Sequence, residues 1–95
     1  MPFVAQTPRL LTENNVKMIR LNVNGVYGLV RNNIVVYVGK GDIRERLLAH
    51  LRGDNPLITR FAPTHWVDEI VVGDPSFREK QLILEYRPAC NQKVG

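Results

Sequence analysis

The sequence predicts an α/β sandwich of the α+β kind, with a small, mainly antiparallel sheet of three to four strands flanked by helices. Three observations predict it. Runs of β-branched residues separated by Asn- and Gly-rich turns fill the first half of the chain, and capped segments with helical periodicity fill much of the second. The third is size: 95 residues, 44% hydrophobic and 23% charged, suit one globular domain. The predicted order of the main elements is β-β-β-α-β-α.

The chain is predicted to begin with an N-terminal arm over residues 1–15, followed by a single domain over residues 16–95. The arm contains two prolines and has no clear periodicity. Residues 16–23 alternate apolar and polar side chains, which is typical of a half-buried strand. The dipeptide Asn24-Gly25 favours a tight turn, so this strand is expected to pair with the next one.

The second and third strands, residues 26–30 and 34–38, are predicted to form a hairpin with one tyrosine on each strand. Both are nearly continuous apolar runs, typical of strands covered on both faces. A two-residue loop would pair Tyr27 with Val38 and send the two tyrosines to opposite faces. A three-residue loop or a bulge would place Tyr27 opposite Tyr37 on one face. If both tyrosines serve one site, we predict the second arrangement.

Capping signals place the remaining elements. Asp42 and Asn55 are good helix N-caps, and Pro56 suits the first position of a helix. Pro88 disfavours helical geometry in the residue before it. The predicted segments are a helix over residues 43–51, a short helix over residues 56–61, a strand over residues 66–72 and a helix from about residue 75 to residue 86.

Composition excludes several classes of protein. A single cysteine allows no disulfide within the chain and no thiolate zinc cluster, and two histidines are too few for a His-rich metal site. No apolar run approaches the length of a membrane span, and the first residues lack the form of a secretory signal. We therefore expect a cytoplasmic protein without membrane association. The net charge of +4 suits a polyanionic partner but does not require one.

Three polar side chains lie at the edges of apolar helix faces. Glu79 shares a stripe with apolar residues at i+3, i+4 and i+7, where an ionised carboxylate is costly unless it is paired or binds a metal. A salt bridge to Arg46 or Lys40 is one explanation for Glu79, and a metal is the other. Arg46 and His50 are neighbours at i, i+4, either as a surface pair or as part of a site.

A succession of residues between Gly25 and Asn91 resembles the GIY-YIG nuclease domain. The succession is Gly25-Val26-Tyr27, Tyr37-Val38-Gly39, Arg46, His50, Glu79 and the Arg-Pro-Ala-Cys-Asn sequence that ends at Asn91. Valine replaces isoleucine in both triplets, which removes no functional group. The resemblance implies a metal-dependent endonuclease that hydrolyses nucleic-acid phosphodiester bonds, with DNA as the expected substrate and one strand cut per active site.

The resemblance also implies a role for each catalytic residue. Glu79 would hold one Mg²⁺ (or Mn²⁺) per site. Arg46 would clamp the scissile phosphate and offset charge in the transition state. Tyr27 would position or deprotonate the attacking water, Tyr37 would support it by hydrogen bonding, and His50 would contact the phosphate or orient the water.

Other residues are expected to bind the phosphate or shape the site. Lys40 fits a phosphate contact, and Arg44 competes with Arg46 by residue type but lies on a different face of the helix. Gly39 and Asn91 are expected to shape the site, Asn91 by tethering the backbone.

Two further functions stay open at this level. One is a nucleic-acid-binding module, or a nuclease subunit that needs a separate recognition protein, because the sequence shows no separate DNA-recognition domain. The other is a small structural domain in which Glu79 only forms a salt bridge. A homodimer is the other candidate partner, since a double-strand cut needs a dimer or two successive nicks.

Overall fold

The structure, a computed structural model, describes residues 1–91 and contains a four-stranded antiparallel sheet with helices on both faces. The strands are β1 (Arg9–Leu10), β2 (Asn24–Arg31), β3 (Ile34–Asp42) and β4 (His65–Ile70), in the order β1-β4-β2-β3. The helices are α1 (Glu13–Val16), α2 (Ile43–Leu51), α3 (Pro56–Phe61) and α4 (Ser76–Tyr86), and a 3₁₀ turn (Ala89–Asn91) follows. The predicted fold class is confirmed.

The predicted strand over residues 16–23 is wrong. Val16 ends α1, and Asn22 has a φ of 61°, which interrupts extended backbone. β2 is already hydrogen-bonded to β3 on one side and to β4 on the other, so a strand preceding it finds no free edge there. The fourth strand comes instead from Arg9–Leu10, which pairs with β4. Asn24-Gly25 is accordingly the start of β2 rather than a turn.

The element order is therefore β-α-β-β-α-α-β-α, not the predicted β-β-β-α-β-α. Residues of the predicted arm pack on the rest of the chain, with Phe3 buried beside Val67 and Leu82. The division of the chain at residue 16 stays a prediction.

The hairpin between β2 and β3 combines a tight turn with a bulge. Asn32 and Asn33 both have positive φ, 51° and 63°, as the two central residues of a type I′ turn require. The register then shifts between Leu29 and Val30, which leaves Val36 as an extra residue on β3. A bulge close to the turn thus changes the face of every later residue on β3.

The bulge places both tyrosines on one face of the sheet. Leu29 pairs with Tyr37 and Tyr27 pairs with Gly39, and the two tyrosine ring centroids are 6.2 Å apart. The predicted common face is confirmed, whereas the predicted direct pairing of Tyr27 with Tyr37 is wrong.

The predicted helices agree with the structure, and α2 and α3 form the caps that the sequence predicts. The Asp42 side chain accepts a hydrogen bond from the Glu45 amide at the start of α2, and the Asn55 side chain accepts from the first amides of α3. The predicted end of α4 at residue 86 is also confirmed. β4 ends at Ile70, two residues earlier than predicted.

The sheet separates two apolar clusters. One face packs against α1, α2 and α3, and the other packs against α4 and the N-terminal residues. Buried side chains of the first cluster include Tyr27, Leu29, Ile43, Leu47, Ile58 and Trp66, and those of the second include Phe3, Val26, Val30, Val38, Val67 and Leu82. No helix within residues 1–91 is long and apolar enough to cross a membrane.

Candidate active site

A cluster of polar side chains surrounds the middle of β3, the last strand at one side of the sheet. Side chains from the α2 face and from the α4 face can meet here, because beyond an edge strand no further strand separates the two faces. Every predicted site residue lies on β2, β3, α2, α4 or the 3₁₀ turn.

The buried part of the cluster is a chain of hydrogen bonds from Tyr27 through His50 to Asp54. Tyr27 Oη lies 2.6 Å from His50 Nε2, and His50 Nδ1 lies 2.8 Å from Asp54 Oδ1. Burial raises the pKa of Tyr27 and lowers the pKa of His50, so both groups are uncharged at neutral pH. An ionised carboxylate only accepts hydrogen bonds, so Nδ1–H donates to Asp54 and Nε2 accepts from the Tyr27 hydroxyl.

Asp54 is a site residue for which the sequence predicted no role. It follows His50 by four residues, the spacing of neighbours on a helix, but α2 ends at Leu51 and that rule no longer applies. Gly53 has a φ of 84°, a left-handed conformation typical of a helix C-terminus, and it turns the chain back. The Asp54 amide then donates to the Ala49 carbonyl oxygen at 3.2 Å, beside the last turn of α2. In the sequence, a glycine directly after the helix, followed by an acidic residue, is the pattern that would have indicated Asp54.

Arg46 lies between the buried chain and solvent. Its Nη2 donates to Asp54 Oδ2 at 3.1 Å, and its guanidinium lies beside the Tyr27 hydroxyl, whose pKa it lowers. The side chain keeps 40% of its exposure, so part of its five-donor fork remains available to an anion. Arg44 makes no hydrogen bond or ion pair to any residue from 1 to 91, and Arg46 is the arginine that joins the cluster.

Tyr37 lies between the two sides of the site. Its ring meets the His50 ring edge-on, with centroids 5.3 Å apart. Burial raises the pKa of Tyr37, the nearby Glu79 carboxylate raises it further, and Arg46 lowers it. The tyrosine hydroxyl is thus within electrostatic reach of both the predicted metal ligand and the predicted phosphate clamp.

Gly39 is required where it stands because the Tyr27 ring crosses β3 there. A Cβ atom at Gly39 would lie 2.3 Å from Tyr27 Oη and 2.5 Å from its Cζ. Any side chain at this position would displace the buried tyrosine, so Gly39 allows the hydroxyl to reach His50.

Glu79 and Lys40 form the part of the cluster on the α4 side. Lys40 Nζ donates to Ser76 Oγ at 2.6 Å and lies 3.8 Å from Glu79 Oε1. Burial raises the pKa of Glu79, and the Lys40 ammonium lowers it. Of the two predicted salt-bridge partners, Lys40 is the one in range, and the Glu79 carboxylate accepts no hydrogen bond from residues 1–91.

The chemistry of this carboxylate fits a hard cation. Mg²⁺ retains several waters and takes one or two carboxylates, so a single half-buried glutamate with free lone pairs is sufficient. Within residues 1–91 no group of three or more His, Cys, Asp or Glu side chains could enclose a metal ion. Zinc-like and calcium-like sites built wholly from side chains are therefore not formed by the described residues.

Asn91 holds the edge strand beside the site. Its side chain accepts from the Val38 amide at 2.7 Å and donates to the Val38 carbonyl at 2.9 Å. The amide thus takes both hydrogen bonds that a neighbouring strand would make at this position. These two hydrogen bonds fix the backbone between Tyr37 and Gly39, and the role of Asn91 in shaping the site stays a prediction.

Solved structures show which fold this arrangement belongs to. The chain is similar to the crystal structure of the GIY-YIG N-terminal endonuclease domain of UvrC from Thermotoga maritima bound to its catalytic divalent cation, magnesium. The TM-score is 0.73 at 21% identity, covering 84% of this chain and 96% of that chain. This chain has the GIY-YIG domain fold.

Two point mutants of the same UvrC domain, each bound to the catalytic divalent cation, agree. A Tyr-to-Phe mutant and an Asn-to-Ala mutant both have TM-scores of 0.73, at 21% and 20% identity, and both comparisons cover 85% of this chain and 96% of that chain. Neither the protein-family models nor the curated proteins give a match. The resemblance of the sequence to the GIY-YIG domain is therefore confirmed by the three-dimensional fold.

Proposed function

We propose that this GIY-YIG domain is a metal-dependent endonuclease that hydrolyses phosphodiester bonds of DNA, cutting one strand per active site. The observation that carries the proposal is the convergence at the edge of β3 of three features: the partly exposed guanidinium of Arg46, the Glu79 carboxylate, which accepts no hydrogen bond from residues 1–91, and two tyrosines. The likeness to an endonuclease domain supports it. A double-strand cut would require a homodimer or two successive nicks.

Arg46 is the proposed phosphate clamp. A guanidinium binds phosphate through parallel N–H donors, and Arg46 is exposed enough to do so while Asp54 holds it from the other side. Lys40, steadied by Ser76, adds a second positive charge to the same edge. Because binding would depend mainly on backbone charge, affinity should fall steeply with added salt.

Glu79 is the proposed ligand for Mg²⁺ or Mn²⁺. Bound there, the ion would stabilise negative charge on the phosphate and on the departing oxygen. The carboxylate is prepared for this because its burial disfavours an unpartnered charge and Lys40 compensates only at 3.8 Å.

The two tyrosines take different roles in the proposal. Tyr27 is fully buried, whereas Tyr37 is half-buried, so Tyr37 is the residue able to touch the attacking water and Tyr27 supports it from behind. This reverses the roles that the resemblance implied. Because burial raises the pKa of both phenols, they act at neutral pH as hydrogen-bonding groups. In the hydrolysis the water oxygen bonds to phosphorus, the P–O bond opposite breaks, and a proton passes to the departing oxygen.

The test is nicking of supercoiled plasmid by the purified protein with Mg²⁺ or Mn²⁺. Glu79→Gln keeps the size of the side chain but removes its charge, so nicking is expected to fall to background, as it should with EDTA. Glu85→Gln is the matched control, since Glu85 lies on the same helix but pairs with the N-terminus. Full activity of Glu79→Gln would contradict the metal assignment. Failure of the folded wild type on plasmid, single-stranded and branched DNA would contradict the function.

A further inference from the structure

We propose that Asp54 is a positioning residue of this site, whose two carboxylate oxygens set the tautomer of His50 and the orientation of Arg46. This inference rests on the proposed endonuclease function. Each oxygen contacts a different side chain: Oδ1 lies 2.8 Å from His50 Nδ1, and Oδ2 lies 3.1 Å from Arg46 Nη2. One carboxylate therefore controls two side chains on adjacent turns of α2.

The contact with His50 sets the direction of the buried hydrogen bonds. With Nδ1–H donating to Asp54, Nε2 has a lone pair and must accept from Tyr27 Oη, 2.6 Å away. The Tyr27 hydroxyl hydrogen is then committed to His50, and the oxygen of Tyr27 presents only lone pairs to the donors beside it, among them the Arg46 guanidinium. The opposite tautomer would direct an N–H at the same oxygen and leave the hydroxyl hydrogen to compete with Arg46.

The contact with Asp54 uses one donor of the Arg46 guanidinium, and those of the other donors that do not face Tyr27 stay available to a phosphate. The carboxylate itself is held by the backbone, because Gly53 turns the chain and the Asp54 amide is bonded to Ala49. Asn55 caps α3 immediately afterwards, so Asp54 lies between two fixed helix ends. Its side chain is 32% exposed, and ion pairs this exposed contribute little to folding stability. Its defined geometry is thus better explained by the site than by stability of the fold.

Asp54→Asn tests the inference sharply because an amide has one acceptor oxygen where the carboxylate has two. Because Arg46 can only donate, the amide oxygen of the variant side chain is expected to accept the hydrogen bond from Arg46. The amide NH₂ of that side chain then faces His50 Nδ1. His50 must change to the Nε2–H tautomer. We expect kcat for nicking to fall by about 10²-fold, with KM for DNA changed much less, because the Arg46 contact survives.

The tautomer is read directly from the imidazole ¹⁵N signals at a pH where His50 is neutral, without DNA or metal. His65→Gln assigns the two histidines, and Glu13→Gln, an exposed carboxylate paired with Arg52, is the activity control. The wild type is expected to show a protonated Nδ1 and Asp54→Asn a protonated Nε2, with circular dichroism and melting temperature retained.

Three results would overturn the inference: a protonated Nε2 in the wild type, an unchanged tautomer in Asp54→Asn, or wild-type kcat in that variant. The wild-type spectrum decides even if Asp54→Asn does not fold. If the wild type cuts no DNA, the proposed function fails, whereas an inverted tautomer in Asp54→Asn would still show that Asp54 sets His50.

Discussion

Two of the arginine–carboxylate pairs among the described residues lie on opposite sides of the sheet, Arg78–Glu69 and Arg46–Asp54, and they differ in how completely the arginine donors are used. Arg78 on α4 donates to both carboxylate oxygens of Glu69 at 2.9 Å and to the Met1 and Pro2 carbonyls at 2.8 and 2.7 Å. Arg46 on α2 donates to only one oxygen of its carboxylate partner, Asp54 Oδ2 at 3.1 Å, and otherwise lies beside the Tyr27 hydroxyl. The side chains of the first pair are 18% and 13% exposed, against 40% and 32% for the second.

The carboxylates on the α4 side show the same contrast. Glu69 accepts from Arg78 and from the Val4 amide, and the Arg78 hydrogen bonds lower its pKa. Glu79 accepts no hydrogen bond from residues 1–91, and burial raises its pKa. Arg78 and Glu69 are of the same residue types as Arg46 and Glu79, so residue type alone does not distinguish the structural pair from the site. Saturated hydrogen bonding indicates a structural brace, whereas unsaturated donors and acceptors at a shared edge indicate a binding site.

The largest expected effect is a loss of activity, and it should follow replacement of Arg46 but not of Arg78. Arg46→Ala removes the proposed transition-state donor, so kcat/KM for plasmid nicking should fall by about 10²-fold or more. Arg78→Ala, assayed well below its melting temperature, should stay within about threefold of the wild type. Equal losses in the two variants would show that the contrast in hydrogen bonding does not distinguish site from brace.

Stability should show the reverse order. Arg78→Ala removes the donor of two backbone carbonyls and leaves the Glu69 carboxylate with the Val4 amide alone, so the free energy of unfolding should fall by about 2 kcal/mol. Arg46→Ala breaks an exposed pair and should cost less than about 1 kcal/mol. Urea denaturation followed by circular dichroism measures both. A greater loss in Arg46→Ala would mean that this arginine holds the fold.

The smallest effect is a pH dependence at His50, which is buried beside the Tyr27 hydroxyl. Burial lowers its pKa, although Asp54 opposes the shift, so between its folded and unfolded pKa values the unfolded chain binds more protons. The contribution of His50 to stability is then complete above its unfolded pKa of about 6.5 and is lost progressively as pH decreases below it.

Urea denaturation at pH 7.5 and 5.5, above the range where most carboxylates titrate, measures this loss. His50→Gln should remove much of it, and His65→Gln, in which His50 is intact, should keep it. A wild type that becomes more stable on acidification over this range would contradict the assignment of His50 as a neutral, buried member of the site.

Helix ends were predictable because their causes are local. Asp42 and Asn55 cap the helices that the sequence predicts, and Pro88 follows the end of α4. That Arg46 and His50 are neighbours was predictable for the same reason, since they lie at i, i+4, whereas their assignment to a site came from the resemblance to the GIY-YIG domain. Strand prediction failed over residues 16–23 because a strand needs a free partner edge as well as an alternating pattern, and both edges of β2 are occupied.

The sequence alone determined the fold class, the capped helices and the order of the tyrosine, arginine, glutamate and asparagine residues, because propensity, caps and periodicity act over a few residues. Only the tertiary structure decided that a bulge puts Tyr27 and Tyr37 on one face and that Asp54 closes the chain from Tyr27 through His50. The first feature depends on strand register, which is fixed by contacts between residues distant in the chain. The second depends on how the turn after α2 folds back, which helical spacing does not predict.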